Sequence, residues 1–442
     1  AINMAWCVGV LMLMTLTPQI QAQSTVDNLL NKLEQKGILT ADETKQLKLE
    51  SKENDPNDFA TAMNSKFSMP DWVTSYNLSG DFRGRVDERK SDNPAFVNRT
   101  LYRYRLRMGL VVNMKDNLQV GFRLGSGDPG GGFATGNPIS NNSTLQDNGS
   151  KKPLWIDTAY GRWTPINDGT WMLRGTFGKM DQPFKASPMM FDPNYTPEGG
   201  ALNAAYKISS ANTLLLNTAA FVLDEEPSSS RDPFLYGGQL IWNANWTSKT
   251  TSSLGVAAFD IVNPEMLTTG HVPNINQGNT RTAGGALVYG YNPVFVDGSV
   301  TYKLDSFPLY PGAFPIKLSG EYLNNPAVPN NNEGFWGGIM FGHAGQKHAW
   351  DVSYRYEYLE GDAWYDEFVN VDNMAYYPVA PVGASAGLYS GTNVKGHLIK
   401  LDYSLTDSLS FTCFCYINNL INNPGVTSSE AVHVLADIMW KF

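Results

Sequence analysis

Arg103, Arg105 and Arg107 stand two residues apart, Arg83 and Arg85 repeat the spacing, and Arg123 follows. A guanidinium is always charged and presents five N–H donors in a planar fork. Spaced by two on an extended chain, these groups share one face, because successive side chains of a strand alternate. Such rows on adjacent strands build a dense positive surface, suited to steering anions rather than breaking bonds. Arg162 and Arg174 extend the arc if their strands keep the same register. Like charges this close repel, so water and carboxylates must relieve them. Asp81, Asp87 and Glu88 are at hand, and the segment 181–199 adds Asp181, Asp192 and Glu198.

No other residues assemble a catalytic pattern. His271, His343, His348, His397 and His433 are scattered, and no Gly-x-Ser-x-Gly elbow accompanies them. Asp128-Pro-Gly-Gly-Gly opens no helix and so lacks the geometry of a phosphate loop. Cys413 and Cys415 lie two apart on one strand face, where their Cβ vectors diverge; they read as small apolar fillers facing lipid. No Cys/His spacing suggests zinc. No catalytic residue, metal or cofactor is therefore expected. With a net charge of −9 and no basic run, nucleic acid is not an expected partner.

The arginines need strands to align them, and the C-terminus shows the pattern plainly. Val432, Val434, Ala436, Ile438, Trp440 and Phe442 fall on one face, and His433, Leu435, Asp437, Met439 and Lys441 on the other. A terminal strand closing on an aromatic residue is how outer-membrane β-barrels end, with the apolar face in lipid and the mixed face in a wet lumen. Sixteen strands are expected, near 76–89, 100–113, 118–126, 154–165, 170–180, 200–208, 213–224, 234–247, 252–262, 295–305, 315–325, 334–343, 348–364, 393–405, 409–419 and 431–442. Short connections alternate with long ones, another mark of such barrels. Ala286-Leu-Val-Tyr-Gly-Tyr291 could hide a further hairpin and raise the count to 18. The chain has 442 residues, with 42% apolar, 12% aromatic and only 17% charged, which suits one large all-β transmembrane barrel over several soluble domains.

The front end differs. Residues 1–22 hold an apolar run from Met4 to about Ile20 and read as a secretory signal peptide. Cys7 lies inside that run. In 23–51, Leu29, Leu30, Leu33, Ile38 and Leu47 fall at helical spacing, Gly37 ends a first helix, and Thr40-Ala-Asp-Glu43 is a capping box for a second. A periplasmic helical pair is expected, either a self-associating coil or packed on the barrel. Residues 52–75 read as a linker and 76–442 as the barrel.

Several stretches resemble the putative-porin family of Gram-negative bacteria. They are Gly136-Asn-Pro-Ile-Ser-Asn-Asn-Ser-Thr-Leu145, Ile156-Asp-Thr-Ala-Tyr-Gly-Arg-Trp-Thr-Pro165, Phe177-Gly-Lys-Met180, Pro315-Ile-Lys-Leu-Ser-Gly-Glu-Tyr-Leu-Asn-Asn325, Trp350-Asp-Val-Ser-Tyr-Arg-Tyr-Glu-Tyr-Leu-Glu-Gly-Asp362 and Gly396-His-Leu-Ile-Lys-Leu-Asp-Tyr403. Val296-Asp-Gly-Ser and Lys36-Gly-Ile-Leu-Thr agree. The resemblance implies a porin-like barrel in the outer membrane, often a homotrimer, with no assigned substrate and no agreed functional residues. Its partners would be outer-membrane lipid and lipopolysaccharide, and cell-wall or periplasmic proteins through residues 23–51.

Closing sixteen strands leaves a lumen too wide for side chains to fill. Arg83, Arg85, Arg103, Arg105, Arg107, Arg123, Arg162 and Arg174 would then line one arc of the pore. The 181–199 segment carries four prolines with Met189, Met190 and Phe191, which suit a loop folded inward. It would narrow the pore, with Asp181, Asp192 and Glu198 facing the arginines across a transverse field. Trp155, Trp163, Trp171, Trp242, Trp246, Trp336, Trp350, Trp364 and Trp440 are expected at headgroup level, since a wide barrel has no dry core for them. The expected function is a passive channel for small hydrophilic solutes and ions. The alternative is a structural anchor that binds cell-wall or partner proteins. If 431–442 pairs with 76–89, Asp437 lies beside the arginine arc.

Overall fold

Alternating side chains carry the chain back and forth through a single closed sheet. The computed structural model describes residues 33–34, 36, 39–46, 70–130 and 135–442. In chain order the strands are β1 (Val73–Ser91), β2 (Arg99–Met114), β3 (Leu118–Ser126), β4 (Ser143–Thr144), β5 (Leu154–Asn167), β6 (Trp171–Lys179), β7 (Glu198–Lys207), β8 (Asn212–Val222), β9 (Phe234–Asn245), β10 (Thr250–Val262), β11 (Val294–Leu304), β12 (Phe314–Asn324), β13 (Glu333–Gly342), β14 (Trp350–Leu359), β15 (Met374–Tyr377), β16 (Gly387–Ser390), β17 (Val394–Ser404), β18 (Leu409–Leu420) and β19 (Ala431–Lys441). β4 adds a short rung to β2, and β15 pairs only with β16. The other sixteen form an antiparallel barrel in which neighbours in sequence pair and β19 returns to β1.

All sixteen expected strands are present, and the 118–126 bounds coincide with β3. No eighteenth strand arises from 286–291. That stretch makes isolated bridges, Ile261 to Tyr291 and Arg281 to Leu287, because its polar neighbours turn it inward. The connections 115–117, 168–170, 208–211, 246–249 and 405–408 are short, whereas 127–153, 180–197, 263–293 and 360–393 are long and lie on the opposite rim.

The sheet's outward face is apolar. Leu106, Met108, Val120, Phe122, Leu240, Val256, Leu318, Phe341, Ile399 and Leu401 are all exposed. Water would not tolerate so continuous a band, and a hydrocarbon layer would. Cys413 and Cys415 share this outward parity, between the buried Thr412 and Tyr416. Trp163, Trp171 and Trp246 are more than half exposed, as a headgroup position asks.

The seam is set by the end of the chain. β1 and β19 align so that Arg85 faces Asp437 and Phe82 faces Trp440. Phe442 continues the ladder by donating its amide to the Gly80 carbonyl at 3.0 Å and accepting the Gly80 amide at 2.8 Å. A Cβ on Gly80 would collide with the Phe442 ring, so glycine is what lets that ring lie across the strand.

The interior departs from the expectation of a wholly wet lumen. Met180, Phe184, Met189, Met190 and Phe191 pack with Trp364, Tyr365, Phe368 and Val369 against Phe221, Leu235, Phe259, Phe295, Leu323 and Leu359 of the wall. Two long loops have folded into the barrel and built a dry core there. Trp364 belongs to this core and is fully buried, and Trp336 packs against it from inside, so neither lies at headgroup level.

Thr74–Phe442 is one unit, and the segment before it is another. The capping box is present in it: the Thr40 amide donates to Glu43 Oε2 at 2.8 Å, and residues 41–46 are helical. The signal-peptide assignment, Cys7, most of the first helix and most of the 52–75 linker lie outside the described residues.

Candidate functional site: an arginine wall facing an inward loop

Odd-numbered positions of β1 to β3 alternate into the lumen, and the arginines follow them. Each charge finds a partner along its own strand or the next. Arg105 and Arg107 share Asp81, with Nη2 to carboxylate distances of 2.7 and 2.8 Å. Asp87 serves two guanidiniums, Arg89 at 2.8 Å and Arg103 at 3.2 Å, and lies 2.9 Å from the His433 ring. Arg85 holds Asp437 with two parallel hydrogen bonds of 2.7 and 2.8 Å, and Arg83 reaches the same carboxylate at 3.5 Å. Asp437 thus lies in the arginine arc, as the closing seam requires. Arg123 pairs with Asp157 on β5 and with Asp181 at 2.7 Å.

Farther round the wall the compensation stops. Arg162 donates to Gln119 at 3.0 Å and Thr176 at 3.1 Å and lies over the Tyr160 ring at 4.7 Å. Arg174 sits opposite Asn203 on β7, and its Nε has no hydrogen-bond partner among the described residues. Neither has an ion-pair partner there. Seven guanidiniums, counting Arg89, therefore meet Asp81, Asp87, Asp157, Asp181, Asp437 and Asp372, Arg162 and Arg174 add two more, and the wall keeps a positive excess.

The 180–197 loop does turn inward, and polar anchors fix it to the far wall. Ser187 donates through its amide (3.2 Å) and hydroxyl (2.8 Å) to Glu321 of β12. Lys185 exchanges hydrogen bonds with Gln239 of β9 at 2.9 and 2.5 Å. The 360–377 segment clamps it from beside: the Trp364 indole donates to the Met190 carbonyl at 2.7 Å, and the Asp192 amide to the Phe368 carbonyl at 2.7 Å. That second segment is in turn bound by the buried Arg281–Asp366 pair at 2.8 Å.

The carboxylates of the loop are placed differently from the expectation. Asp181 faces the arginines. Asp192 does not: it is buried and accepts hydrogen bonds from the Val371 amide at 3.0 Å and the Asn194 amide at 2.7 Å. Burial pushes its carboxyl up to about 7, against the pull of those amides. Glu198 begins β7 and pairs with Lys179 at 3.0 Å. The group across from the arginines is instead Asp372, 3.2 Å from Arg85, with Asn194, whose side-chain oxygen accepts from Arg105 at 3.3 Å. The reason is topological, since loop 360–393 rather than loop 180–197 occupies the position nearest the seam.

Sequence reasoning missed Arg89, although it continues the parity of Arg83 and Arg85 to the end of β1. It also missed Asp157 and Asp372. Asp157 breaks the even-numbered inward parity of Thr158, Tyr160 and Arg162 and is turned inward where β3 and β5 shift register, and nothing local marks Asp372, whose role comes from the loop's path. On the outer loops, Asp224, Glu226 and His271 bring ligand-type atoms within 4.8 Å of one another, with His271 Nδ1 2.8 Å from Glu226.

A closed barrel with an apolar outside, a charged wall inside and a loop folded across the lumen is the architecture of a porin-like channel. The family model described as "Putative porin" matches residues 91–270, so the resemblance read from the sequence is shown over that stretch. Among solved structures, two engineered variants of the Rhodopseudomonas blastica porin are similar, each at 9% identity and TM-score 0.42, covering 83% of this chain and 100% of theirs. Another variant of that porin aligns at 11% identity and TM-score 0.41 over the same shares. A comparison with curated protein sequences finds no match.

Proposed function

We propose that the protein is an outer-membrane diffusion channel whose narrow part lies between the arginine wall and the inward loops. The observation that carries this is the pairing of a positive wall, uncompensated at Arg162 and Arg174, with a loop 180–197 anchored across the lumen at Gln239 and Glu321. Fixed charge on one side of a narrow aqueous path selects solutes by sign and size. Small hydrophilic solutes and ions pass, with anions favoured. Homotrimeric assembly in lipid and lipopolysaccharide, and a periplasmic attachment role for residues 23–51, belong to the same proposal.

The test is planar-bilayer recording in a KCl gradient. The native channel is expected to reverse toward the chloride potential. Arg162→Gln with Arg174→Gln should move the reversal toward zero, and an Arg103/Arg105/Arg107→Ser variant should change unitary conductance. Native conductance and selectivity in both variants would sink the constriction role. A native barrel that passes no current would favour the anchor reading instead.

A further inference from the structure

We infer that the vestibule above the arginine wall is a binding subsite for small amphiphilic monoanions, of the aromatic or branched carboxylate kind. This rests on the channel reading and names the solute class it would favour. A cavity of about 410 Å³ lies where β1 and β2 meet the inward loops. That volume suits a molecule of roughly ten heavy atoms.

One wall is cationic. Arg89 and Arg103 both line the cavity and share a single carboxylate, Asp87, which His433 also engages. Two guanidiniums on one carboxylate leave a local deficit of negative charge. Arg103 Nε has no hydrogen-bond partner among the described residues. Asp372 also borders the cavity, but Arg85 holds it at 3.2 Å, and Asp437 is taken by Arg83 and Arg85. A carboxylate entering here would meet the two guanidiniums through charge-assisted hydrogen bonds.

The lining also carries a cluster of apolar side chains, Ile275, Val371, Met374, Leu388 and Tyr389, set among the polar Asn137, Ser140, Asn274, Asn276 and Ser390. An inorganic ion gains nothing from such a surface. Ile275 is also held at φ 59°, a left-handed conformation that a β-branched residue rarely adopts. Its neighbours impose this. Asn276 accepts from Ser390 Oγ at 2.5 Å and donates to the Asp366 carbonyl at 3.0 Å, while the Gln277 amide donates to the Ser390 carbonyl at 3.0 Å. Strain fixed by surrounding contacts at a cavity wall is the pattern of a preorganised ligand surface. Two guanidiniums and an apolar cluster in one cavity match a ligand with one carboxylate and one hydrophobic body.

The experiment uses the full chain in planar bilayers carrying chloride current. Sodium benzoate, sodium acetate, benzyl alcohol and benzylamine are added in turn. Benzoate is expected to reduce chloride current saturably, with at least tenfold lower half-blocking concentration than the other three. Arg103→Gln and Leu388→Asp should each weaken benzoate block about tenfold or more. Benzoate acting no better than acetate or benzyl alcohol would overturn the inference while chloride current upholds the channel. If no chloride current flows, the channel reading falls, and calorimetric titration of benzoate into detergent-solubilised protein decides the subsite alone. Saturable heat lost in Arg103→Gln supports it, and no heat overturns it.

Discussion

Trp364→Ala tests whether the inward loops are held by the dry core. Trp364 is fully buried, with its ring centroid 5.7 Å from Phe191, 5.5 Å from Phe259 and 5.7 Å from Phe368. A buried indole removes roughly 150–250 Å² from water, about 4–6 kcal/mol by area, and large-to-small replacements of this kind cost about 3–5 kcal/mol. Its hydrogen bond to Met190 is also lost. About 4 kcal/mol of loop anchoring corresponds to roughly a thousandfold rise in the detached population. The strand ladders do not involve this side chain, so the barrel should still close and keep its heat-modifiable gel mobility. Trypsin at Lys185, an exposed residue of the 180–197 loop, reports the detached state. Cleavage of the variant should accelerate by about the same factor when opening and reclosing outpace cutting. Bilayer currents should become larger and noisier. Trp163→Ala, at an outward position, serves as the control and should change neither. A well-folded Trp364→Ala barrel cut at the native rate, with native conductance, would refute the argument that the aromatic core positions the loop.

Three further outcomes follow from the same structure. Asp437→Asn removes the carboxylate held by Arg85 and Arg83, so the reversal potential should shift further toward chloride; a shift toward the cation potential would contradict the charge assignment. Asp192, raised by burial from 3.8 to about 7, binds a proton in the fold that the unfolded chain releases across that window. Loop anchoring should therefore weaken as pH rises from about 4 to about 7 and stay weak above it, read as faster trypsin cleavage at pH 8 than at pH 5.5 after correction for protease activity. Asp192→Asn should reduce that dependence, and an unchanged profile would exclude Asp192 as a source of it. Gly80→Val places methyl groups against the Phe442 ring and should cost about 1–3 kcal/mol at the seam, seen as a lower temperature for loss of heat-modifiable mobility.

Much of the site was legible because a strand has a period of two. Once Arg103, Arg105 and Arg107 are placed on one face of β2, the same parity assigns lumen or lipid to every strand, and the end at Phe442 fixes the seam. That is how Asp437 could be placed beside Arg85 across 352 positions of sequence. The composition of 180–197, four prolines with Met189, Met190 and Phe191, also marked a loop that water would not hold extended.

The long loops carry no such period, and their paths are set by contacts remote in sequence. Nothing local distinguishes Asp372, which meets the arginines, from Asp192, which is buried away from them and held by backbone amides. Trp364 reads like any other tryptophan near a strand end, yet loop 360–377 carries it into the barrel against Phe191 and Phe259. The sequence alone therefore determined the barrel, its two faces and its arginine arc and narrowed the strand count to 16 or 18, because these depend on alternation and short-range pairing. Only the tertiary structure decided that there are sixteen strands, that the inward loops build a dry core, which carboxylates answer which arginines and where the cavity lies, because side chains from distant loops must first pack together.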